Sequence, residues 1–506
     1  MAPHDAYKEI VSREQDRWKL VTINYLLEWD METNMPRAAE HIRSEQTGMM
    51  ARLIHERATD PKLGDLIAAC ENSELTREAE AVTAVNIREW RRSYDRATKL
   101  PTEHVEELSR TTSKAHGAWA NARKQSDFSI FAPHLEKILE LNRRSADYYG
   151  FTTEPYDALM EEFEPGMTAA EVETVFGGLR KDLVELVGRI AEAPKKPNIA
   201  LVKRPFDVDK QRLFSQVVAM AFGYDFNAGR LDEVTHPFCT WLGPGDTRIC
   251  TRYYPNDFAE GLTGVTHETG HALYDMGLPH DEHFGTPMAD AISLGIHESQ
   301  SRMWENQVGR SRAFWRYFFP QAQRMFREEL DGVSEEDFYA AFNYVTPSYI
   351  RVEADEATYN LHIMLRFELE RAMVRGEIPV KDVPGEWNAR FKDYLGIAVD
   401  RDSNGCLQDV HWAMGAMGYF PTYALGNLYA AQFWVQINKD LPDLEAQFAV
   451  GDFSPLLDWL RKNIHRQGKR YSAPVLVERL TGKKLSHKPL LDYLYAKYEP
   501  IYGIRR

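Results

Sequence analysis

Five consecutive residues, His267-Glu268-Thr269-Gly270-His271, constrain this chain more than any other stretch. Two histidines four residues apart read as an α-helix, which stacks both imidazoles on one face, one turn apart, where both reach a single metal ion. Glu268 follows the first histidine and so sits beside the metal rather than on it. That position suits a general base acting on water activated there. The helix is expected over Gly261 to Met276, with Gly277 as its stop. Thr269-Gly270 keeps one side small and His271-Ala272-Leu273-Tyr274 continues an apolar side, so the helix is expected to be buried. Two buried imidazoles and a carboxylate are costly unless something satisfies them, and a metal does so. The bland alternative is a surface helix carrying the pattern by chance. The motif points to a zinc-type peptidase.

A catalytic zinc site takes three protein ligands and keeps a fourth position open. The third ligand should come from a later helix. Ile296-His297-Glu298-Ser299-Gln300-Ser301-Arg302 starts an apolar-periodic helix running through Met303 and Trp304, and Glu298 lies 27 residues after His271. His297 competes with Glu298, but neighbours on a helix point about 100° apart, so both cannot face the metal. A solvated carboxylate at a helix start is the other reading of Glu298.

Most of the 506 residues read as amphipathic helix, which makes the fold mainly α. Trp18, Val21, Tyr25, Leu26 and Trp29 recur at spacings of three and four, and the rhythm returns in Glu103–Lys124, Ile138–Tyr149, Ala169–Ala193 and Phe314–Leu330. The expectation is one catalytic domain over 1–506, with a hinge between two lobes in the loop near 194–205, where Pro194 and Pro197 break helix. One region changes period. Asp246 to Tyr254, bounded by Gly243-Pro244-Gly245 and Pro255-Asn256-Asp257, reads as a short strand whose free edge could pair with an extended peptide.

The bulk numbers exclude other classes. Lys plus Arg is 61 against 76 Asp plus Glu, a net charge of −15, which argues against a nucleic-acid partner. No run approaches the ~20 apolar residues of a membrane span, and Met1–Glu9 lacks a signal-peptide core. Cys70, Cys239, Cys250 and Cys406 are scattered. Reduced thiols in a cytoplasmic protein follow, with Cys239 and Cys250 the one pair that could bridge.

Five signatures, in order, resemble the Taq-type metallocarboxypeptidases, a gluzincin family. They are Asp246-Thr247-Arg248-Ile249-Cys250-Thr251, His267–His271, His297-Glu298-Ser299-Gln300, Ile350-Arg351-Val352-Glu353-Ala354-Asp355 and Gly405-Cys406-Leu407-Gln408-Asp409-Val410-His411-Trp412. Leu27-Glu28-Trp29-Asp30 followed by Met35-Pro36 is similar to the family's N-terminal helical region. Cys250 departs from the threonine common there. The resemblance implies a large helical body of the gluzincin/neurolysin-like kind, with a deep central groove and a small β-sheet at its wall. It also implies a homodimer and release of single residues from peptide C-termini with broad preference. One Zn2+ per chain, or Co2+, would serve that chemistry.

Roles follow from the same resemblance. His267, His271 and Glu298 hold the metal, and Glu268 moves the proton. His411 and Tyr423 are candidates to cover the developing oxyanion, as a histidine and a tyrosine at similar spacing do in related gluzincins; core packing is the alternative for Tyr423. Arg351, placed on a helix after Ser348-Tyr349, would clamp the substrate's free carboxylate, with Arg248 on the strand in support. Arg351 could instead pair with Asp355 at i+4, and Arg248 with Asp246. Gln408 and Asp409 are expected to orient His411 or a metal ligand, and Asp275 could do likewise. The rival functions are a gluzincin oligoendopeptidase or dipeptidase, which would lack the clamp, and a non-catalytic helical metal-binding scaffold.

Overall fold

Amphipathic periodicity becomes helix along most of the chain in the computed structural model, which describes residues 1–506. The Ala169–Glu192 helix shows how. Thr168 and Glu171 form a reciprocal capping box at its start, and Val172, Phe176, Leu179, Leu183, Leu186 and Ile190 line its buried face. The other expected helices appear as Thr102–Gln125, Ala132–Tyr149 and Arg312–Met325. The last is shorter than expected because Phe326 leaves helical geometry before a separate turn, Arg327–Leu330.

Ten elements position the site: α1 (Pro3–Thr33), α2 (Glu40–Ala58), β1 (Leu231–Glu233), β2 (Phe238–Trp241), β3 (Thr247–Thr251), α3 (Phe258–Gly277), α4 (Leu294–Arg302), α5 (Tyr359–Arg375), α6 (Pro421–Asp440) and α7 (Lys488–Tyr502). The molecule is mainly α with one small sheet. A cluster of 100 buried apolar residues runs from Ala115 to Tyr502 and includes side chains from α3 to α7. Smaller clusters join α1 to the Pro61–Cys70 and Val82–Lys99 helices, and the sheet to α3. No helix is long and apolar enough to cross a membrane.

The sheet order is β1-β3-β2, with β3 parallel to β1 and antiparallel to β2. The sequence reading therefore needs correcting. β3 has no free edge, because it is the central strand; the outer edges belong to β1 and β2. Thr247, Ile249, Cys250 and Thr251 are buried, which central pairing explains. Cys239 and Cys250 lie on adjacent strands but both thiols are free.

α3 starts three residues earlier than expected, because the Asp257 carboxylate accepts the Glu260 backbone N–H and caps it there. Gly277 belongs to the helix, and Leu278 ends it. α4 stops at Arg302, and the chain widens into a π-helical stretch over Met303–Gly309 that the periodicity did not announce. Two glycines set the spacing around α4. A Cβ at Gly270 would lie 2.6 Å from the Gln300 carbonyl oxygen, and one at Gly426 would lie 2.5 Å from Glu298 Cγ. α4 is thus held between α3 and α6 at a separation only glycine allows.

Candidate active site

α3 and α4 bring three candidate ligand atoms together. Glu298 Oε2 lies 3.5 Å from His267 Nε2 and 3.4 Å from His271 Nε2. The donor atoms of these residues all fall within 4.8 Å of one another, as one cation requires. Each histidine side chain keeps 17% of its surface and Glu298 keeps 7%, so the site is recessed but open to solvent.

The back of each imidazole is held as metal ligation demands. His267 Nδ1 lies 2.9 Å from Glu305 Oε2. His271 Nδ1 lies 2.6 Å from His297 Nδ1, and His297 Nε2 lies 3.0 Å from Asp275 Oδ1. One assignment of neutral tautomers satisfies these three contacts: His267 and His271 carry their hydrogen on Nδ1, His297 carries its own on Nε2, and the carboxylates accept at both ends. That leaves both ligand Nε2 atoms with free lone pairs facing Glu298. His297 thus stands behind His271 rather than beside Glu298, and Asp275 reaches His271 through it. Burial pushes His271 down to about 4, which keeps its ring neutral. Burial opposes ionisation of Glu298 and Glu305, yet the Arg302 guanidinium outweighs it. Glu298 is held well below the ordinary carboxylate range and Glu305 at about 2. Arg302 bridges the two acids, with Nε 2.6 Å from Glu298 Oε1 and Nη1 3.1 Å from Glu305 Oε2. Burial lowers His267 too, but the Glu298 and Glu305 carboxylates outweigh it and raise its value, so a cation binding there would displace its proton. Two imidazoles and an ionised carboxylate are a fitting set for a divalent cation.

Glu268, one residue after His267 on α3, is buried. Burial pushes its carboxyl up to about 7, the region where a proton acceptor works best near neutrality. The start of α4 is fixed from outside by Glu164, whose carboxylate accepts from Ser293 Oγ, Gly295 N and the Tyr429 hydroxyl.

The second half of the site lies on less regular chain. Arg351 is not on a helix; it begins a single 3-10 turn, Arg351–Glu353. Gln408 fixes that turn, accepting the Arg351 backbone N–H and donating to the Tyr349 carbonyl, and so does not orient His411. Arg351 pairs with Asp409 rather than Asp355, its Nε and Nη2 lying 3.0 and 2.9 Å from Oδ1. Its Nη1 donates to the Tyr359 hydroxyl at 3.1 Å. Asp355 instead accepts the backbone N–H groups of Thr346, Ala357 and Thr358. Arg351 thus uses three of its five N–H groups, and two remain. Asp409 also takes Arg366 Nε at 2.7 Å, so it is bonded to two arginines rather than to His411. Burial opposes its ionisation, but Arg366 and Arg351 keep it well below the usual carboxylate range.

His411 lies in the loop before α6, its Nε2 3.4 Å from the Tyr423 hydroxyl and its Nδ1 buried without a partner. Burial holds His411 at about 4 and pushes the Tyr423 phenol well above its ordinary range, so one ring is neutral and the other keeps its proton. Tyr423 precedes Gly426 by three positions on α6 and shares the face that packs on Glu298. Tyr359 joins the two halves, with the Arg302 guanidinium 4.2 Å over its ring and Arg351 on its hydroxyl. Arg248 does pair with Asp246 as a bidentate fork at 2.8 and 2.7 Å, and its guanidinium stacks 4.2 Å from the Trp29 ring of α1. Sequence reasoning missed Glu305, Arg302, Tyr359 and Gly426.

A sequence profile of the Carboxypeptidase Taq (M32) metallopeptidase family matches residues 10–498. The chain belongs to this family. Thermostable carboxypeptidase 1 of Thermus thermophilus is 45% identical over 99% of this chain and 100% of that protein. Carboxypeptidase 1 of Bacillus subtilis is 39% identical over 94% and 95%. The crystal structure of the M32 carboxypeptidase from Deinococcus radiodurans R1 superposes with a TM-score of 0.95 at 41% identity, covering 99% of this chain and 100% of that one. This M32 chain is accordingly a metallocarboxypeptidase, a peptide hydrolase dependent on a divalent metal.

Proposed function

We propose that the enzyme releases single amino acids from the C-termini of peptides with broad preference, using one zinc ion per chain held by His267, His271 and Glu298. The convergence of two imidazole Nε2 atoms and one carboxylate oxygen within 4.8 Å, beside Glu268, carries this reading. When bound, the ion polarises the scissile carbonyl and makes water acidic enough to lose a proton near pH 7. Glu268 accepts that proton and returns it to the leaving nitrogen, a role worth roughly a hundred- to ten-thousandfold. Tyr423 and His411 donate to the oxygen on which negative charge develops, each donor contributing on the order of 3–4 kcal/mol. Arg351 offers its two remaining N–H groups to the substrate's terminal carboxylate, and Asp409 fixes the plane of its fork. Arg248 supports that end of the site from β3.

Zinc suits a two-histidine, one-carboxylate set with an open position, and Co2+ would serve in its place. The whole chain acts as one catalytic unit. The continuous core from Ala115 to Tyr502 favours the single unit. Four free thiols suit a reducing cytoplasm. A homodimer follows from the resemblance.

The test is a matched pair of peptides, one a free acid and the other its C-terminal amide, digested by enzyme of measured metal content. The free acid should shorten one residue at a time and the amide should resist. Equal cleavage of both, or internal fragments, would overturn the reading.

A further inference from the structure

The π-helical stretch after α4 is held from outside by the C-terminal helix. A widened turn displaces carbonyls from the ordinary ladder of helix hydrogen bonds. Here the Asn306 carbonyl accepts the Tyr493 hydroxyl at 2.8 Å and Lys497 Nζ at 3.2 Å, both from α7. The residue before it, Glu305, is the one that holds His267 Nδ1. Lys497 also contacts Glu356 Oε2 at 2.7 Å, and the Tyr498 hydroxyl adds a bond to that oxygen at 3.3 Å. Glu356 follows Asp355 in the segment that carries Arg351. One ammonium therefore ties the turn behind a metal ligand to the segment bearing the candidate clamp.

The pair is expensive to keep. Lys497 and Glu356 are each 8% exposed. Burying two charges is weak evidence for stability, since well-packed apolar residues often do as well or better. What an apolar pair cannot do is grip a backbone carbonyl. Glu305 is additionally braced by Arg302 on one side and by Arg310 at 3.6 Å, so its carboxylate position depends on how the whole turn is seated.

We propose that Lys497 is a positioning residue for the metal centre: by fixing the Asn306 carbonyl against Glu356, it seats the π-helical turn so that Glu305 meets His267. This rests on His267 being a ligand. Partners of ligating histidines typically govern metal affinity by ten- to a hundredfold. Lys497 acts one step further back and should govern it by about tenfold.

The experiment uses full-length enzyme loaded with Co2+. It reads the rate of Co2+ loss to a chelator and the visible Co2+ spectrum, well below each variant's Tm. Lys497→Met should lose Co2+ about tenfold faster with an altered spectrum. Lys497→Met combined with Glu356→Gln removes the stranded carboxylate; it should regain Tm while still losing Co2+ quickly. Tyr493→Phe keeps the ion pair and removes one of the two bonds to Asn306, so a smaller acceleration is expected. Loss at the wild-type rate in folded Lys497→Met or in the folded double variant overturns the proposal. If Lys497→Met alone does not fold, the double variant decides. His267→Gln separates the two readings, because unchanged Co2+ binding there would refute the ligand assignment itself.

Discussion

The metal wall and the arginine wall of the site are built in opposite ways. The first uses regular helices: His267 and His271 on α3, Glu298 on α4, with glycines letting the helices close. Its charges are satisfied by neighbours on the same or the next element. The second uses a 3-10 turn, a loop and the first turn of α6, and its central charge pair joins residues 58 positions apart. A helical wall inherits its geometry from backbone periodicity. An irregular wall must be fixed bond by bond, which is why Asp409 holds two arginines and Gln408 brackets the Arg351 turn.

Three measurements sharpen or break that contrast. Glu268→Gln should leave one metal per chain and lower kcat by roughly a hundred- to ten-thousandfold, since it removes the proton carrier without touching a ligand. Activity near wild type would take proton transfer away from the metal wall. Arg351→Ala should act on the other wall alone. Loss of two charge-assisted hydrogen bonds, about 3 kcal/mol, predicts roughly a hundredfold lower kcat/KM on the free acid and little change on the amide. An equal fall on both peptides would mean that Arg351 only supports structure.

The smallest effect concerns the brace behind α4. Burial pushes the Glu164 carboxyl up to about 7, whereas its ordinary value is 4.5. A folded-state value raised in this way gives stability that is full below about pH 4.5 and is lost as pH rises through about 7. Glu164→Gln removes that titration. Wild type should therefore lose stability relative to the variant between pH 5 and 8, by at most on the order of 3 kcal/mol, read as diverging Tm curves. Parallel curves would show that Glu164 is ionised throughout and braces α4 as a charge.

The same contrast explains what could be read from the chain alone. The convergence of His267, His271 and Glu298 was legible because helix spacing carries local order into space. His297 was visible only as a competitor, since its relay role depends on Asp275 and on tautomers that no spacing encodes. Glu305 was hidden by the slip into π winding, which changes hydrogen bonding without a change of composition. β1 and β2, at three and four residues, are too short to show alternation, so the central place of β3 could not be foreseen. The partners of Arg351 were missed because Asp355, close by in sequence, offered a plausible local mate, while Asp409 and Tyr359 reach it only through the fold.

The missing methyl at Gly426 has a practical outcome for anyone wishing to retune this enzyme. The Glu298 side chain rests directly against bare backbone there, so residue 426 works as a gauge block for the candidate metal centre. Exchanging Glu298 for a bulkier donor, to favour another cation, has no slack to draw upon. Redesign of the ligand set has to begin by re-spacing α6.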